Sequence, residues 1–256
     1  MGKTQQWQGT GPQTAEEMIA EARKAFFVMF AFMVVLWVIQ IANWSDHYHL
    51  DTQYGLIARQ PGRLPEIFTA PLLHFSWAHI EGNSGPLFVF GFLAAYRGVI
   101  RFLWLTLIVA LTSGLAVWLF QGADLQTVGA SGLIFGYFGY VVLRGIFDRH
   151  LIDTLIGLVM AASFAYLVTV ALPGTPGVSW LDHLGGLVGG IAGAWLLRDR
   201  GSRALVASGS AIPERGGGTA AVVPAPAPAR EQRGKASGKG SDREDLHKEL
   251  GDLGLL

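Results

Sequence analysis

Residues 102–120 read FLWLTLIVALTSGLAVWLF, a stretch that contains no charged side chain. The hydrocarbon core of a bilayer needs about 20 apolar residues per helix, so this stretch predicts a membrane-spanning helix. Residues 25–42, AFFVMFAFMVVLWVIQIA, form a second run of the same kind. Helices in the core of a soluble protein are rarely both this long and this apolar, so the fold is expected to be that of a membrane protein.

Four further segments extend this pattern along the chain. Leu151–Leu172 is long and apolar, with Asp153 at one margin, whereas Ile80–Tyr96, Val128–Leu143 and Trp180–Leu197 are shorter or more polar. The composition agrees, because 51% of the residues are hydrophobic and only 15% are charged. We therefore predict an all-α, polytopic membrane protein with a bundle of six transmembrane helices. The absence of cysteine excludes disulfides and thiolate metal sites, and a net charge of zero offers no argument for nucleic acid.

The Lys and Arg residues near the ends of these spans predict an orientation. Cytoplasmic loops of membrane proteins carry an excess of Lys and Arg. The side that holds both termini carries Arg23, Lys24, Arg97, Arg101, Arg144, Arg149, Arg198, Arg200 and Arg203. The opposite side carries only Arg59 and Arg63, in the long first loop. We expect both termini to be cytoplasmic and the protein to lie in the cell membrane, with a bacterial inner membrane as the expected location.

The chain divides into three regions. Residues 1–24 form a polar cytoplasmic segment, residues 25–198 the six-helix domain, and residues 199–256 a cytoplasmic tail. The tail is rich in Gly, Pro, Ala and Ser, which predicts a flexible segment. Its last residues, SDREDLHKELGDLGLL, have capping-box spacing at Ser241 and Glu244 and leucines along one helical face. A short frayed helix and a docking peptide for a partner or the membrane surface both fit this pattern, and the tail's partner is unknown.

Three clusters of polar residues lie near the outer ends of three spans. Polar side chains inside a membrane are expensive, so they are functional candidates by default. The clusters are His74, His79 and Asn83 at the second span, Gly129-Ala130-Ser131-Gly132 at the fourth, and Asp182-His183 at the sixth. Because the predicted topology puts all three at the same depth, we expect one water-filled site that opens outward.

The chemistry of these residues suggests a serine nucleophile. A serine hydroxyl needs a base to accept its proton, and imidazole titrates near neutrality, so Ser131 and His183 form a candidate pair. Free N–H groups at a helix start, with His79 and Asn83, could stabilise an oxyanion. Asp182 is not expected to orient His183, because successive helical residues point about 100° apart. The prediction is therefore a dyad.

Each motif also has a simpler interpretation. A Gly-x-Ser-Gly motif in a membrane helix is often a packing motif. The histidines, with Glu81 or Asp182, could instead bind a metal, although no His-Glu-x-x-His pair is present. Glycines at small-xxx-small spacing in the fourth and sixth spans predict that these helices pack closely. The two rows of the sixth span are Gly186 and Gly190, and Gly185, Gly189 and Gly193; the fourth span has Gly132, Gly136 and Gly139.

Taken together, the motifs resemble those of the rhomboid protease family. The family pattern is His-x4-His-x3-Asn in the second span, Gly-x-Ser-Gly at the fourth, and a His followed by small residues in the sixth. This chain matches it in order, over roughly residues 25–197, with His74, His79, Asn83, Gly129, Ser131, Gly132, His183, Gly186 and Gly190. The chain departs from it in carrying Pro65-Glu66 where many members have a Trp-Arg pair, which leaves the effect on the first loop open.

The resemblance implies an intramembrane serine endopeptidase. Ser131 would attack a peptide bond in a transmembrane segment of a substrate and form an acyl-enzyme that water then hydrolyses. His79, Asn83 and the Ser131 amide would form the oxyanion hole. Phe135, at a position where many relatives have Tyr, would stack on His183. The implied partners are transmembrane proteins and membrane lipid, and no cofactor is expected.

Two other functions remain as alternatives. A rhomboid-like pseudoprotease would bind membrane proteins without cleaving them, although such relatives typically lack the serine or the histidine. A small transporter could use the buried His and Asp residues to move protons or ions, although the chain shows no convincing internal repeat.

Overall fold

Helices make up most of the described part of the chain. The computed structural model describes residues 14–170, 173–174 and 177–198. The predicted N-terminal segment lies largely outside these residues, and the tail from residue 199 with its predicted terminal helix lies entirely outside them. The long helices are α1 Ala15–Ser45, α3 Trp77–Ala95, α4 Val99–Phe120, α5 Ser131–Asp148, α6 Leu151–Ser163 and α8 Trp180–Leu196, and the short ones are α2 His49–Tyr54 and α7 Tyr166–Val170.

Five of the six predicted spans each correspond to one helix, whereas the span that is fifth in chain order corresponds to two. The predicted span Leu151–Leu172 is divided into α6 and α7 by a break at residues 164–165. Neither proline nor glycine occurs at this break, and nothing in the local sequence explains it. By length and hydropathy, α1 and α4 qualify as membrane-crossing helices, while α6 is apolar but shorter.

Large apolar side chains cover the outer faces of α1 and α6. Phe27 is 60% exposed and Val38 58% on α1, and Leu151 is 72% and Leu158 66% exposed on α6. Soluble proteins rarely expose contiguous apolar patches of this kind. These faces therefore fit contact with lipid, while the buried core lies between the helices around side chains such as Tyr137.

Glycines place α8 in close contact with both α4 and α5. A Cβ atom on Gly186 would meet the backbone of Gly132, and one on Gly190 would meet the backbone of Gly136. The predicted packing of the fourth and sixth spans through these rows is therefore confirmed. The other row, represented by Gly185, faces α4, where an added Cβ would lie 2.9 Å from the Ser113 Cα. Because Gly132 on α5 and Gly186 on α8 have no side chains, the first turn of α8 can lie beside the first turn of α5.

The first loop is held against the connection that precedes α5. Two short strands, β1 Leu56–Ile57 and β2 Gln126–Thr127, pair in antiparallel fashion. The loop also contains two 3-10 helices, Pro61–Ile67 and Ala70–Leu72. Pro65 and Glu66 lie in the first of these, where Glu66 forms an ion pair with Arg63 at 3.4 Å. The Pro65-Glu66 pair, which departs from the family pattern, thus forms part of a 3-10 helix in the first loop.

Candidate active site

One cavity brings together polar residues from each of the three clusters. It has a volume of about 690 Å³ and lies at the ends of α3, α5 and α8. Its lining includes His79, Asn83, Ser131, Phe135 and His183. Residues more than 100 positions apart in the chain therefore share one chamber, as the sequence analysis expected for a single site.

Ser131 is the first residue of α5 and follows a turn that requires glycine. Gly129 has a φ of 129°, a left-handed value that side chains rarely tolerate. An added Cβ there would also lie 2.7 Å from the Cε1 atom of His79. The Gly129 N–H donates to the Ala70 carbonyl at 2.9 Å, which ties this turn to the first loop. The glycine thus allows the His79 ring to approach the backbone just before Ser131.

His183 lies in the first turn of α8 with its ring against Phe135. The two ring centroids are 4.2 Å apart and the ring planes differ by 16°. Phe135 lies about one turn after Ser131 on α5, so the same helix carries the serine and the ring that packs on the histidine. Ser179 caps the start of α8 by accepting the Asp182 N–H at 3.3 Å. The stacking implied by the family resemblance is therefore present with Phe in place of Tyr.

Asn83 presents a buried amide donor to the cavity. Its Nδ2 atom is buried and donates to no acceptor in the described part of the chain. Buried donors in folded proteins are almost always hydrogen-bonded, so such a group calls for an explanation. His79 lies one turn earlier on α3, where the capping residue Ser76 accepts its N–H at 3.2 Å. Both side chains line the cavity, as donors to an oxyanion would.

His74 lies behind His79 rather than in the cavity lining. It is completely buried, and its ring centroid is 5.0 Å from that of His79. Burial, and after it the charge of protonated His79, lower the pKa of His74 to about 3. His74 is therefore neutral at physiological pH. Its position supports the His79 ring and gives it no direct access to a substrate.

Asp182 has a position that the sequence analysis missed. Its carboxylate accepts a hydrogen bond from the Ser131 hydroxyl, with Oγ and Oδ2 3.1 Å apart. The Ser113 side chain of α4 and the backbone of α5 at Gly132 also lie close to it. From the sequence, Asp182 was weighed as a partner of His183, as a metal ligand or as a residue that moves protons, but not as a partner of Ser131, and Ser113 was not singled out. Ser113 could have been noticed in the sequence, because it is a polar residue inside a charge-free membrane span.

The metal interpretation finds no support in the described residues. No group of three or more His, Cys, Asp or Glu side chains within them is arranged to hold a metal ion. The carboxylate of Asp182 is directed toward the start of α5, and Glu81 is exposed and does not line the cavity.

Comparison with known proteins agrees with this architecture. A model of the rhomboid domain matches residues 61–200. The uncharacterized protein Rv1337 of Mycobacterium tuberculosis is 34% identical over 189 residues, 70% of this chain and 78% of that protein. The uncharacterized protein ML1171 of Mycobacterium leprae is 35% identical over 191 residues, 71% of this chain and 76% of that protein. YdcA, a rhomboid protease homologue of Bacillus subtilis, is 28% identical over 166 residues, 64% of this chain and 77% of YdcA.

The fold and the matches define an all-α, multi-pass membrane protein with a rhomboid-like helical bundle. The chain belongs to the rhomboid family. Members of this family are in general intramembrane serine proteases that act on transmembrane substrates in a lipid environment.

Proposed function

We propose that this protein is an intramembrane serine endopeptidase that cleaves transmembrane segments of membrane proteins with Ser131 and His183. The observation that carries the proposal is the shared cavity, which is lined by a serine at a helix start, a histidine and a buried amide donor. We further propose that both termini are cytoplasmic and that the cavity opens to the outer side of the cell membrane.

The proposed reaction has two stages. Ser131 Oγ attacks the substrate carbonyl carbon while its proton passes to His183. The Asn83 amide, His79 and the Ser131 N–H stabilise the resulting oxyanion. His183 then returns the proton to the leaving amine, the C–N bond breaks, and an ester on Ser131 remains. Water attacks that ester with His183 as base, which releases the new carboxyl end and restores the serine hydroxyl.

The test compares wild type with Ser131→Ala and His183→Ala in detergent. A single-pass model substrate is incubated with each protein, and cleavage is followed by gel and mass spectrometry. We expect cleavage by wild type alone, and labelling of Ser131 by a fluorophosphonate probe. Ser84→Ala is a suitable control, because this serine lies on the same helix as Asn83 and does not line the cavity. Its hydroxyl donates to the Ile80 carbonyl and accepts from the indole N–H of Trp37 on α1.

The two alternatives give different results in this experiment. A pseudoprotease would show neither cleavage nor labelling. A transporter would carry an ion flux in vesicles that Ser131→Ala leaves unchanged. Labelling of wild type without cleavage would support the nucleophile and point to an unsuitable model substrate.

A further inference from the structure

The Asp182 carboxylate lies in a buried pocket where α4, α5 and α8 meet. The residue is only 7% exposed. The groups close to it come from two other helices: Ser113 on α4, and on α5 Gly132 and Ser131, whose hydroxyl donates to it. Gly132 has no room for a side chain, because an added Cβ would lie 2.8 Å from the Asp182 Oδ2 atom. The carboxyl group therefore occupies space that exists only because residue 132 is a glycine.

The start of α5 depends on this carboxylate for capping. The N-cap residue Ala130 has no side chain that can accept a hydrogen bond, so the first N–H groups of α5 are not capped locally. Asp182 lies against Gly132 and brings a carboxyl group to the positive end of the helix dipole. The cap comes from α8, the helix that also carries His183.

The same carboxylate also holds the nucleophile. The Ser131 hydroxyl donates to Asp182 in this structure, whereas the proposed reaction requires it to donate to His183. Asp182 and His183 are consecutive on α8 and interact electrostatically. When the hydroxyl turns to His183, the carboxyl group stays packed against Gly132 and close to Ser113. It can therefore keep the start of α5 in place while the proton moves.

We propose that Asp182 is a positioning residue for the nucleophile, which anchors the start of α5 to α8 and holds the Ser131 hydroxyl at rest. This inference rests on the proposed function, because positioning Ser131 matters only if Ser131 is the nucleophile. The Asp182 carboxyl group stays close to the imidazolium that forms at His183, and a positive charge on that ring favours the carboxylate form. The catalytic residues themselves remain the dyad.

The test is Asp182→Asn, followed by the rate and the final extent of Ser131 labelling by a fluorophosphonate probe. The amide has nearly the same shape, but it cannot carry a negative charge and only its oxygen can accept the Ser131 hydrogen bond. We expect labelling to reach the wild-type extent at a rate reduced by about 10- to 100-fold. In cleavage assays kcat should fall by a similar factor with KM within about twofold of wild type.

Asp51→Asn is the matched control. Asp51 is the other buried carboxylate near this end of the bundle, 2% exposed and hydrogen-bonded to Asn43, and it does not line the cavity. This control should label and cleave at the wild-type rate. If Asp182→Asn were labelled at the wild-type rate, the inference would be overturned, whether the final extent of labelling was full or reduced. Asp182 would then have a structural role only.

Ser113→Ala decides the question if Asp182→Asn does not fold. It removes the hydroxyl of α4 that lies close to the carboxyl group and leaves Asp182 and the Ser131 hydrogen bond in place. Slower labelling at full extent would support positioning, and an unchanged rate would overturn it. Failure of the proposed function is recognised separately, because wild type itself would then show neither labelling nor cleavage.

Discussion

Gly190 tests whether close contact between α5 and α8 sets the geometry of the site. In Gly190→Ala, the new Cβ would lie 2.7 Å from the carbonyl carbon and 2.9 Å from the Cα of Gly136. Carbon atoms in contact prefer separations of about 3.5–4.0 Å, so the helices would have to move apart by roughly 1 Å. The obstacle is backbone rather than a flexible side chain, and rotamer changes cannot relieve it.

The expected loss follows from that displacement. Overpacking of this kind costs about 1–3 kcal/mol of stability. A shift of about 1 Å between catalytic groups can cost about 100-fold in rate, so kcat/KM should fall by that order. The assays are cleavage of the single-pass substrate and thermal unfolding in the same detergent.

Gly85→Ala provides the matched control for this change. Gly85 lies inside α3, and an added Cβ there would have no neighbour within 4 Å. Both substitutions share the gain of about 0.5–1 kcal/mol that Ala has over Gly in a helix interior. Gly85→Ala should therefore keep wild-type activity and equal or slightly higher stability. Wild-type activity and stability in Gly190→Ala would refute the argument that backbone contact between α5 and α8 positions Ser131 and His183.

Two further predictions concern α3 and the residues just before it. Asn83→Ala removes the buried donor and should lower kcat by about 10²- to 10³-fold with little change in KM, measured by cleavage kinetics beside Ser84→Ala. Acidification should destabilise the protein through His74, whose pKa is lowered in the fold from 6.5 to about 3. Its contribution is complete above pH 6.5 and is lost as the pH falls toward 3, because the unfolded chain then binds a proton that the fold does not. The melting temperature of His74→Asn should therefore fall less between pH 6.5 and 4 than that of wild type; equal slopes would contradict this account.

Much of the helical framework was predictable from hydropathy. Charge-free runs such as residues 25–42 and 102–120 have few alternatives to a membrane helix, because backbone groups in lipid must be satisfied within the segment. The break between α6 and α7 was not predictable, since residues 164–165 carry no proline or glycine that would mark it. Spacing alone also put His79 and Asn83 on one helical face, and both line the cavity.

The sequence by itself determined the class of protein, the order of the helices and the candidate residues, because these depend on local hydrophobicity and on spacing within single helices. Only the tertiary structure decided which acceptor the Ser131 hydroxyl meets. The contact between Ser131 and Asp182 joins residues 51 positions apart. It depends on how closely α5 and α8 approach through Gly132, Gly136, Gly186 and Gly190. Periodicity gives the direction of a side chain around its own helix, whereas the partner it meets depends on the distance and angle between two helices.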